Sequence, residues 1–236
     1  MSGGATTAFA HGMNRAIQPT ERSVKITRRD FALGASALAL SVALGGLANT
    51  AFVGRADAQA LLNQPGPLGD MAQGDEKAPV TIIEYASMTC PHCAAFHATT
   101  YPELKKRYID TGKVRFIFRE FPLDQLALAG FLLARCAGPD KYFPMIDTLF
   151  QLQKEWVTQK PLGPLLAIAK QAGMSEQAFN ECLQDQKLID GIEDVRQRAM
   201  KLNVQSTPSF FVNGKPLRGS YTIEEFEKAL APYLKG

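Results

Sequence analysis

Residues 80–93 read VTIIEYASMTCPHC, and this stretch decides the fold. Its first seven residues are rich in β-branched side chains, which favour a β-strand. Two cysteines three positions apart, Cys90 and Cys93, follow with Pro91 and His92 between them. Proline suits the first turn of an α-helix because the N–H that it lacks would have no partner there. The stretch therefore predicts a strand that leads directly into a helix, with the cysteine pair at the helix start.

The chain beyond this stretch predicts a small α/β core with a long helical insertion. We expect the helix to run to about residue 108 with a kink at Pro102, and residues 114–120, VRFIFRE, to form a second strand. All clear periodicity from about 124 to 203 is helical, and a hairpin and a last helix follow. A right-handed crossover pairs the first two strands in parallel, and one helix would suffice to return the chain to the sheet. The surplus is therefore expected to form an all-helical subdomain.

Composition and charge exclude several classes of protein. With 236 residues, of which 46% are hydrophobic and 21% charged, the chain is long enough to bury a core without disulfides. Of its 26 basic and 23 acidic side chains, the first 60 residues hold six and three, which leaves 20 of each sign for residues 61–236. This neutral balance argues against a nucleic-acid-binding surface.

The beginning of the chain has the pattern of an export signal. Arg28 and Arg29 precede a run from 31 to 53 that holds no charged side chain, and the small-residue segment GRADAQA follows. This order is that of a signal peptide, and the paired arginines resemble a twin-arginine signal. We expect cleavage near Ala58–Ala60 and a location in the periplasm. A retained membrane anchor stays open as the alternative, as does a start at Met13.

These boundaries give the expected domain organisation. Residues 1–60 form the export signal and its cleavage region. Residues 61–79, which are rich in Gly, Pro and charge, form a linker with a first short strand near Leu68–Met71. The folded domain then covers residues 80–236 and includes the helical insertion at about 124–203.

Three chemical roles compete for the cysteine pair. A structural zinc site usually needs four ligands, and only two histidines, His92 and His97, lie near the cysteines, so no metal is expected. A structural disulfide between Cys90 and Cys93 would close so small a loop that it would stabilise the fold little. A redox-active pair fits best, because a C-x-x-C motif near a βαβ pattern is typical of a thioredoxin-like active site.

The helix start predicts different roles for the two cysteines. Free backbone N–H groups and the positive end of the helix dipole favour a thiolate at Cys90, and His92 is placed to add charge or hydrogen bonds. A stabilised thiolate is a good leaving group, which favours an oxidising pair. Cys93, deeper in the helix, is expected to be the resolving thiol. Glu84 on the preceding strand is placed to exchange a proton with Cys93, the alternative being an exposed strand carboxylate.

A second part of the site is predicted at Thr207-Pro208, directly before the strand pattern SFFV. A cis peptide bond there would turn a backbone edge toward Cys90 for pairing with an extended substrate segment. An ordinary proline at the start of an edge strand is the alternative. The combination with the CPHC motif favours the cis form.

The stretch EYASMTCPHC, together with TPSFFVNG further along, resembles the DsbA family of thiol–disulfide oxidoreductases over essentially all of residues 65–236. The resemblance implies a thioredoxin fold that carries the helical insertion. It also implies that Cys90 forms a mixed disulfide with a substrate and that Cys93 resolves it. His92 would tune Cys90, and Thr207-Pro208 would form the cis-proline loop.

The resemblance further implies partners and a direction. The substrates would be exported, partly folded proteins, and a quinone-linked membrane oxidase of the DsbB type would reoxidise the dithiol. The protein would be a monomer with no cofactor other than its redox-active disulfide. Thr207 stands where some strongly oxidising members have Val, so an isomerase or a reductase stays open as an alternative. A holdase-like binding module without redox chemistry is the third reading.

The two remaining cysteines, Cys136 and Cys182, both fall within the predicted helical insertion. Disulfides persist outside the cytoplasm, so we expect a structural disulfide between them. By the chain-entropy argument a bridge across so long a loop contributes about 4 kcal/mol. Two free thiols in the core are the alternative.

Overall fold

The computed structural model describes residues 57–234. The expected export signal at 1–60 therefore lies almost wholly outside the described residues. Within residues 57–234, no helix combines the length and the apolar character that crossing a membrane requires.

The centre of the fold is a five-stranded mixed sheet. Its strands are β1 (Met71–Gln73), β2 (Val80–Ala86), β3 (Val114–Glu120), β4 (Ser209–Val212) and β5 (Lys215–Leu217). They lie in the order β1-β3-β2-β4-β5. Strands β2 and β3 are parallel, with Glu84 opposite Phe118, and all other neighbours are antiparallel. The predicted parallel crossover is confirmed.

Helices connect the strands and cover the sheet. They are α1 (57–63), α2 (Pro91–Leu104), α3 (Gln125–Cys136), α4 (Pro139–Gln151), α5 (Gln153–Trp156), α6 (Leu162–Gln171), α7 (Glu176–Cys182), α8 (Gln186–Lys201) and α9 (Ile223–Leu234). Helix α2 contains Pro102 and passes into a π-helical turn at Lys105–Ile109. Because Pro102 has no N–H, the regular helix lacks one backbone hydrogen bond shortly before the wider turn begins at Lys105. Helices α3 to α8 stand between β3 and β4.

The two faces of the sheet are covered by different layers. Side chains alternate along a strand, so neighbouring residues of β2 point to opposite faces. Ile82 faces the larger core, which also takes in residues of α2, of α3 to α7 and of α9. Tyr85 faces a smaller core that includes Leu62 of α1 and Val195 of α8. Glu84 has the same parity as Ile82 and therefore lies on the α2 side.

The segment expected to be a linker is more structured than its composition indicates. Residues 57–63 are helical, and the first strand is Met71–Gln73 rather than a strand near Leu68–Met71. The reason lies on β3, where the Arg119 guanidinium donates hydrogen bonds to the carbonyl oxygen of Leu62 and to the Asp70 carboxylate. Long-range partners of this kind are not visible in local composition.

Helices α3 and α7 are joined by a disulfide bond between Cys136 and Cys182, whose Cα atoms lie 6.1 Å apart. Both cysteines are the last residues of their helices. The bond therefore fixes two ends within the helical block, away from the second cysteine pair.

Candidate active site

The second cysteine pair lies where the chain leaves β2 and enters α2. Cys90 has an extended backbone conformation and is the N-cap residue, and Pro91 occupies the first turn of the helix. Both Cys90 and Cys93 are free thiols. Cys90 is 5% exposed, whereas Cys93 is fully buried. Only Cys90 is therefore within reach of an incoming sulfur atom.

The two thiols differ sharply in acidity. A hydrogen bond from the Cys93 thiol lowers the pKa of Cys90 to about 5, against the opposing effect of burial. The side chain of Thr207 and the backbone N–H groups of Cys93 and His92 contribute in the same direction. Burial raises the pKa of Cys93 well above its ordinary value, and the charge of Glu84 adds to this effect. At neutral pH the reduced site thus holds a thiolate at Cys90 and a thiol at Cys93.

The segment Thr207-Pro208 faces Cys90 from across the site. The peptide bond between the two residues is cis. The Cys90 thiol donates a hydrogen bond to the carbonyl oxygen of Thr207 over 3.2 Å. Thr207 Oγ1 is buried and has no hydrogen-bond partner among the described residues. This hydroxyl is therefore free to donate to Cys90 once the sulfur is ionised.

His92 lies at the surface, directly after the Cys90–Pro91 turn. Its side chain and that of Pro91 are exposed, and no described residue forms a hydrogen bond with the His92 imidazole. The contribution of His92 to the lowered pKa of Cys90 comes from its backbone N–H. The first turn of a helix directs its free N–H groups at the N-cap residue, so this effect depends on position rather than on side chain.

Glu84 lies beneath the cysteine pair, and the alternative of an exposed strand carboxylate is excluded. The residue is fully buried on the α2 side of β2. Its Oε2 atom is hydrogen-bonded to Nε2 of His97 over 3.0 Å. Burial raises the pKa of Glu84, and the neighbouring His97 offsets part of this rise.

His97 is the residue that the sequence analysis missed, having weighed it only as a metal ligand. Burial alone would lower the pKa of His97, but the charge of Glu84 and the nearby Asp147 together raise it to about 9. The ring stacks on Phe150 of α4 at a centroid distance of 4.5 Å. Its position four residues after Cys93 places both on one face of α2, and this spacing was the available signal.

The helical block holds the turn before Cys90 in place. Gln153 of α5 donates hydrogen bonds to the carbonyl oxygens of Met88 and Cys90, over 2.8 and 3.1 Å. Asp124, the N-cap of α3, accepts one from the Thr89 hydroxyl over 2.7 Å. Neither contact follows from the sequence, because Gln153 and Asp124 lie more than 30 residues from the turn. Within residues 57–234, no group of three or more His, Cys, Asp or Glu side chains is arranged to hold a metal ion.

Comparison with known proteins identifies the family. A sequence model of the family described as Thioredoxin matches residues 68–231. The crystal structure of alpha-DsbA1 from Wolbachia pipientis is similar with a TM-score of 0.67 and 34% sequence identity, over 73% of this chain and 94% of that one. This chain belongs to the DsbA family. The predicted thioredoxin fold with a helical insertion is thereby confirmed.

Two sequence relatives agree with this membership. A protein of Rickettsia conorii, named as a protein-disulfide oxidoreductase, is 37% identical over 164 residues, which are 68% of this chain. The match spans 59% of the length of the rickettsial protein. Disulfide bond formation protein D of Bacillus subtilis is 28% identical over 188 residues, or 75% of this chain and 82% of that protein. The DsbA-family chain thus resembles proteins whose names describe disulfide chemistry.

Proposed function

We propose that this DsbA-family protein is an exported thiol–disulfide oxidoreductase that donates its Cys90–Cys93 disulfide to other exported proteins. The difference in acidity between the two thiols carries the proposal. Because the pKa of Cys90 is lowered to about 5, the reduced site is stabilised as a thiolate at neutral pH. A pair whose reduced form is stabilised gives up its disulfide readily and acts as an oxidant.

The reaction proceeds in two exchange steps. A substrate thiolate attacks the Cys90 sulfur of the disulfide, so that a substrate–Cys90 bond forms and the Cys90–Cys93 bond breaks. Cys93 leaves with the electron pair and takes up a proton. A second substrate thiolate then attacks the substrate sulfur of the mixed disulfide, and Cys90 leaves as a stable thiolate. Two electrons pass from the substrate to the protein, and no further cofactor takes part.

The surroundings of Cys90 support its role as the attacked sulfur. Cys93 is fully buried, so an incoming thiolate has access to Cys90 alone. The Cys90 sulfur faces the Thr207 carbonyl group, and a substrate segment bound to that sulfur would lie alongside Thr207-Pro208. The exposed side chains of Pro91 and His92 border the same opening. An extended segment pairs with a backbone edge through main-chain hydrogen bonds, which suits substrates of varied sequence.

The cellular setting belongs to the same proposal. The leader at 1–60 carries the protein to the periplasm, where disulfides persist. Each cycle leaves the Cys90–Cys93 pair reduced, so a further oxidant is needed for turnover. A membrane oxidase of the DsbB type, linked to quinone, would reoxidise the pair.

The test is transfer of the disulfide to a reduced, unfolded protein such as reduced ribonuclease. The oxidised protein should consume substrate thiols and become reduced in equal amount, and Cys90→Ser should abolish the transfer. In cells, Cys93→Ala should accumulate mixed disulfides with exported proteins, whereas the matched Cys90→Ser/Cys93→Ala variant should accumulate none. If Cys90→Ser still oxidised the substrate, the proposal would be wrong.

A further inference from the structure

The proton that Cys93 exchanges in each cycle has no direct route to water. Cys93 and the neighbouring carboxyl group of Glu84 are both fully buried. The charge of Glu84 acts on Cys93, so Glu84 is the group that we expect to supply a proton to the departing Cys93 sulfur. Its own protonation must then be restored. A buried acid that reacts once per turnover therefore needs a connection to solvent.

Two unpartnered atoms mark such a connection. Glu84 Oε1 and His97 Nδ1 are both buried and have no hydrogen-bond partner among the described residues. The opposite atoms of the same groups, Glu84 Oε2 and His97 Nε2, bond to each other over 3.0 Å. Since buried polar atoms are almost always paired, two unpaired atoms at the ends of one hydrogen-bonded unit need an explanation.

The partly exposed carboxylate of Asp147 lies on the other side of the His97 ring from Glu84. His97 Nδ1 lies 3.8 Å from Oδ1 of Asp147 on α4, and the Asp147 side chain is 44% exposed. Both residues line a cleft of about 810 Å³ between α2 and the α4–α5 region, whose walls include Ala94, Ala98 and Phe150. The distance is too long for a direct hydrogen bond but short enough for one bridging water molecule.

We propose that His97 and Asp147 relay the proton of Cys93 between Glu84 and the water of this cleft. The relay rests on the proposed function, since it serves the same thiol exchange. When Cys93 leaves as a thiolate, it takes the proton of Glu84, Glu84 Oε2 takes the proton of His97 Nε2, and Nδ1 takes one from the cleft.

The relay runs backwards when the pair is reoxidised. The Cys93 thiol then gives its proton to Glu84, His97 Nε2 accepts one from Glu84, and Nδ1 releases one to the cleft. One proton enters and one leaves in each complete cycle, so the Glu84–His97 pair regains its first proton count without the ring turning. No electron moves along this path.

Three ionisable side chains surround the His97 ring. Glu84 of β2 and Asp147 of α4 face the ring, and Tyr101 of α2 lies beside it at a centroid distance of 4.7 Å. Burial raises the pKa of Tyr101 well above its ordinary value, so this phenol stays protonated near neutral pH. The pH dependence of the Cys93 step therefore reports the Glu84–His97–Asp147 line.

The test isolates the step in which Cys93 loses its proton. Reduced protein is mixed with oxidised glutathione, quenched with acid and analysed by mass spectrometry. Formation of the Cys90–glutathione disulfide depends on the glutathione concentration, and its resolution by Cys93 does not. His97→Gln can keep a hydrogen bond to Glu84, but its amide neither gains nor loses a proton near neutral pH. It should slow resolution about tenfold or more and flatten its pH profile, with formation unchanged.

A second variant separates proton transfer from packing. His97→Ala should also slow resolution, and added imidazole should restore the rate in proportion to its concentration. Lys105→Ala changes a charge in the same cleft and should resolve at the wild-type rate. Wild-type resolution in His97→Gln, or equal slowing of formation and resolution, would overturn the relay. Failure of the proposed function is a separate result, because it concerns reduced protein substrates and not glutathione.

Discussion

Two buried ion pairs lie on opposite faces of the same two strands, and they are built differently. On the face toward α1 and α8, Arg119 uses all five of its N–H groups, two toward Asp70 and the others toward Leu62, Gln64 and Tyr85. On the face toward α2, Glu84 and His97 bond to each other, and each keeps one buried atom without a described partner.

The difference indicates a structural role for the Arg119 network and a role in proton exchange for the Glu84–His97 pair. A fully satisfied network holds segments together, and the Arg119 network attaches residues 62–70 to β3. A network with free atoms stabilises less, but its groups can still accept or release protons. The Glu84–His97 pair lies beneath the reactive cysteines, where such exchange is needed. Substitutions in the two pairs should therefore differ in their effects on stability and on reactivity.

The largest expected effect is on stability. Arg119→Met should lower the free energy of unfolding by about 3–5 kcal/mol, because it strands Asp70 and several carbonyl groups without their partner. Urea unfolding of the oxidised protein measures this loss. The pKa of Cys90 should stay unchanged in the same variant. A loss below about 1 kcal/mol would show that the Arg119 network does not hold residues 62–70 on β3.

Glu84→Gln should have a small effect on stability and a large effect on the reactivity of Cys93. The free energy of unfolding should fall by less than in Arg119→Met, because burial of the Glu84 carboxylate itself costs stability and His97 can lose its proton, so that no stranded charge remains. Resolution of the Cys90–glutathione disulfide should slow about tenfold or more, because the amide cannot exchange the Cys93 proton. Unfolding curves and acid-quench kinetics on the same preparation measure both. A large loss of stability with normal kinetics would contradict the distinction.

Thr207→Val sharpens the account of the thiolate itself. The variant removes a hydroxyl group that is free to donate to the Cys90 thiolate. A hydrogen bond to a charged group contributes about 1.5 kcal/mol or more, so the pKa of Cys90 should rise by about one unit. Thiolate absorbance at 240 nm during a pH titration measures it, with Thr207→Ser as the control that keeps the hydroxyl. An unchanged pKa in Thr207→Val would show that the hydroxyl plays no part.

The smallest effect concerns pH. Folding raises the pKa of His97 from 6.5 to about 9. A raised pKa stabilises the folded state below the unfolded value, and this contribution is lost as the pH rises through the folded value. The unfolding free energy of the oxidised protein should therefore fall between about pH 6.5 and 9, and less so in His97→Gln. In the reduced protein, the lowered pKa of Cys90 would oppose this trend, because its stabilising contribution increases as the pH rises from the folded value toward the unfolded value. In the oxidised protein Cys90 does not titrate.

The sequence predicted those parts of the fold that depend on local pattern. The β-branched run gave strand β2 with the boundaries Val80–Ala86, and the cysteine motif marked the start of α2. Alternation along β2 left two orientations for Glu84, and only the packing of α2 on one face decides between them. The α1 segment escaped prediction because Arg119 holds it from a distant strand.

The site was predicted less completely than the fold. The motif identified Cys90 and Cys93, but a motif does not show what surrounds its atoms. The spacing of Cys93 and His97 was visible in the sequence, but the contacts of His97 with Phe150 and of Gln153 with Cys90 depend on the packing of α4 and α5 against α2. The backbone N–H of His92 contributes to the lowered pKa of Cys90, and this contribution follows from its place in the first turn of α2. The contacts that α4 and α5 make with α2 and with the turn before it have no signature in sequence spacing.

The reduction potential of the Cys90–Cys93 pair tests the central claim most directly. It is measured by equilibrating the protein with mixtures of reduced and oxidised glutathione and quantifying both forms after an acid quench. Because the reduced site is stabilised as a thiolate, we expect a potential above about −180 mV, the value typical of protein disulfide isomerase. A potential near about −270 mV, as in thioredoxin, would show a reductant and contradict the account.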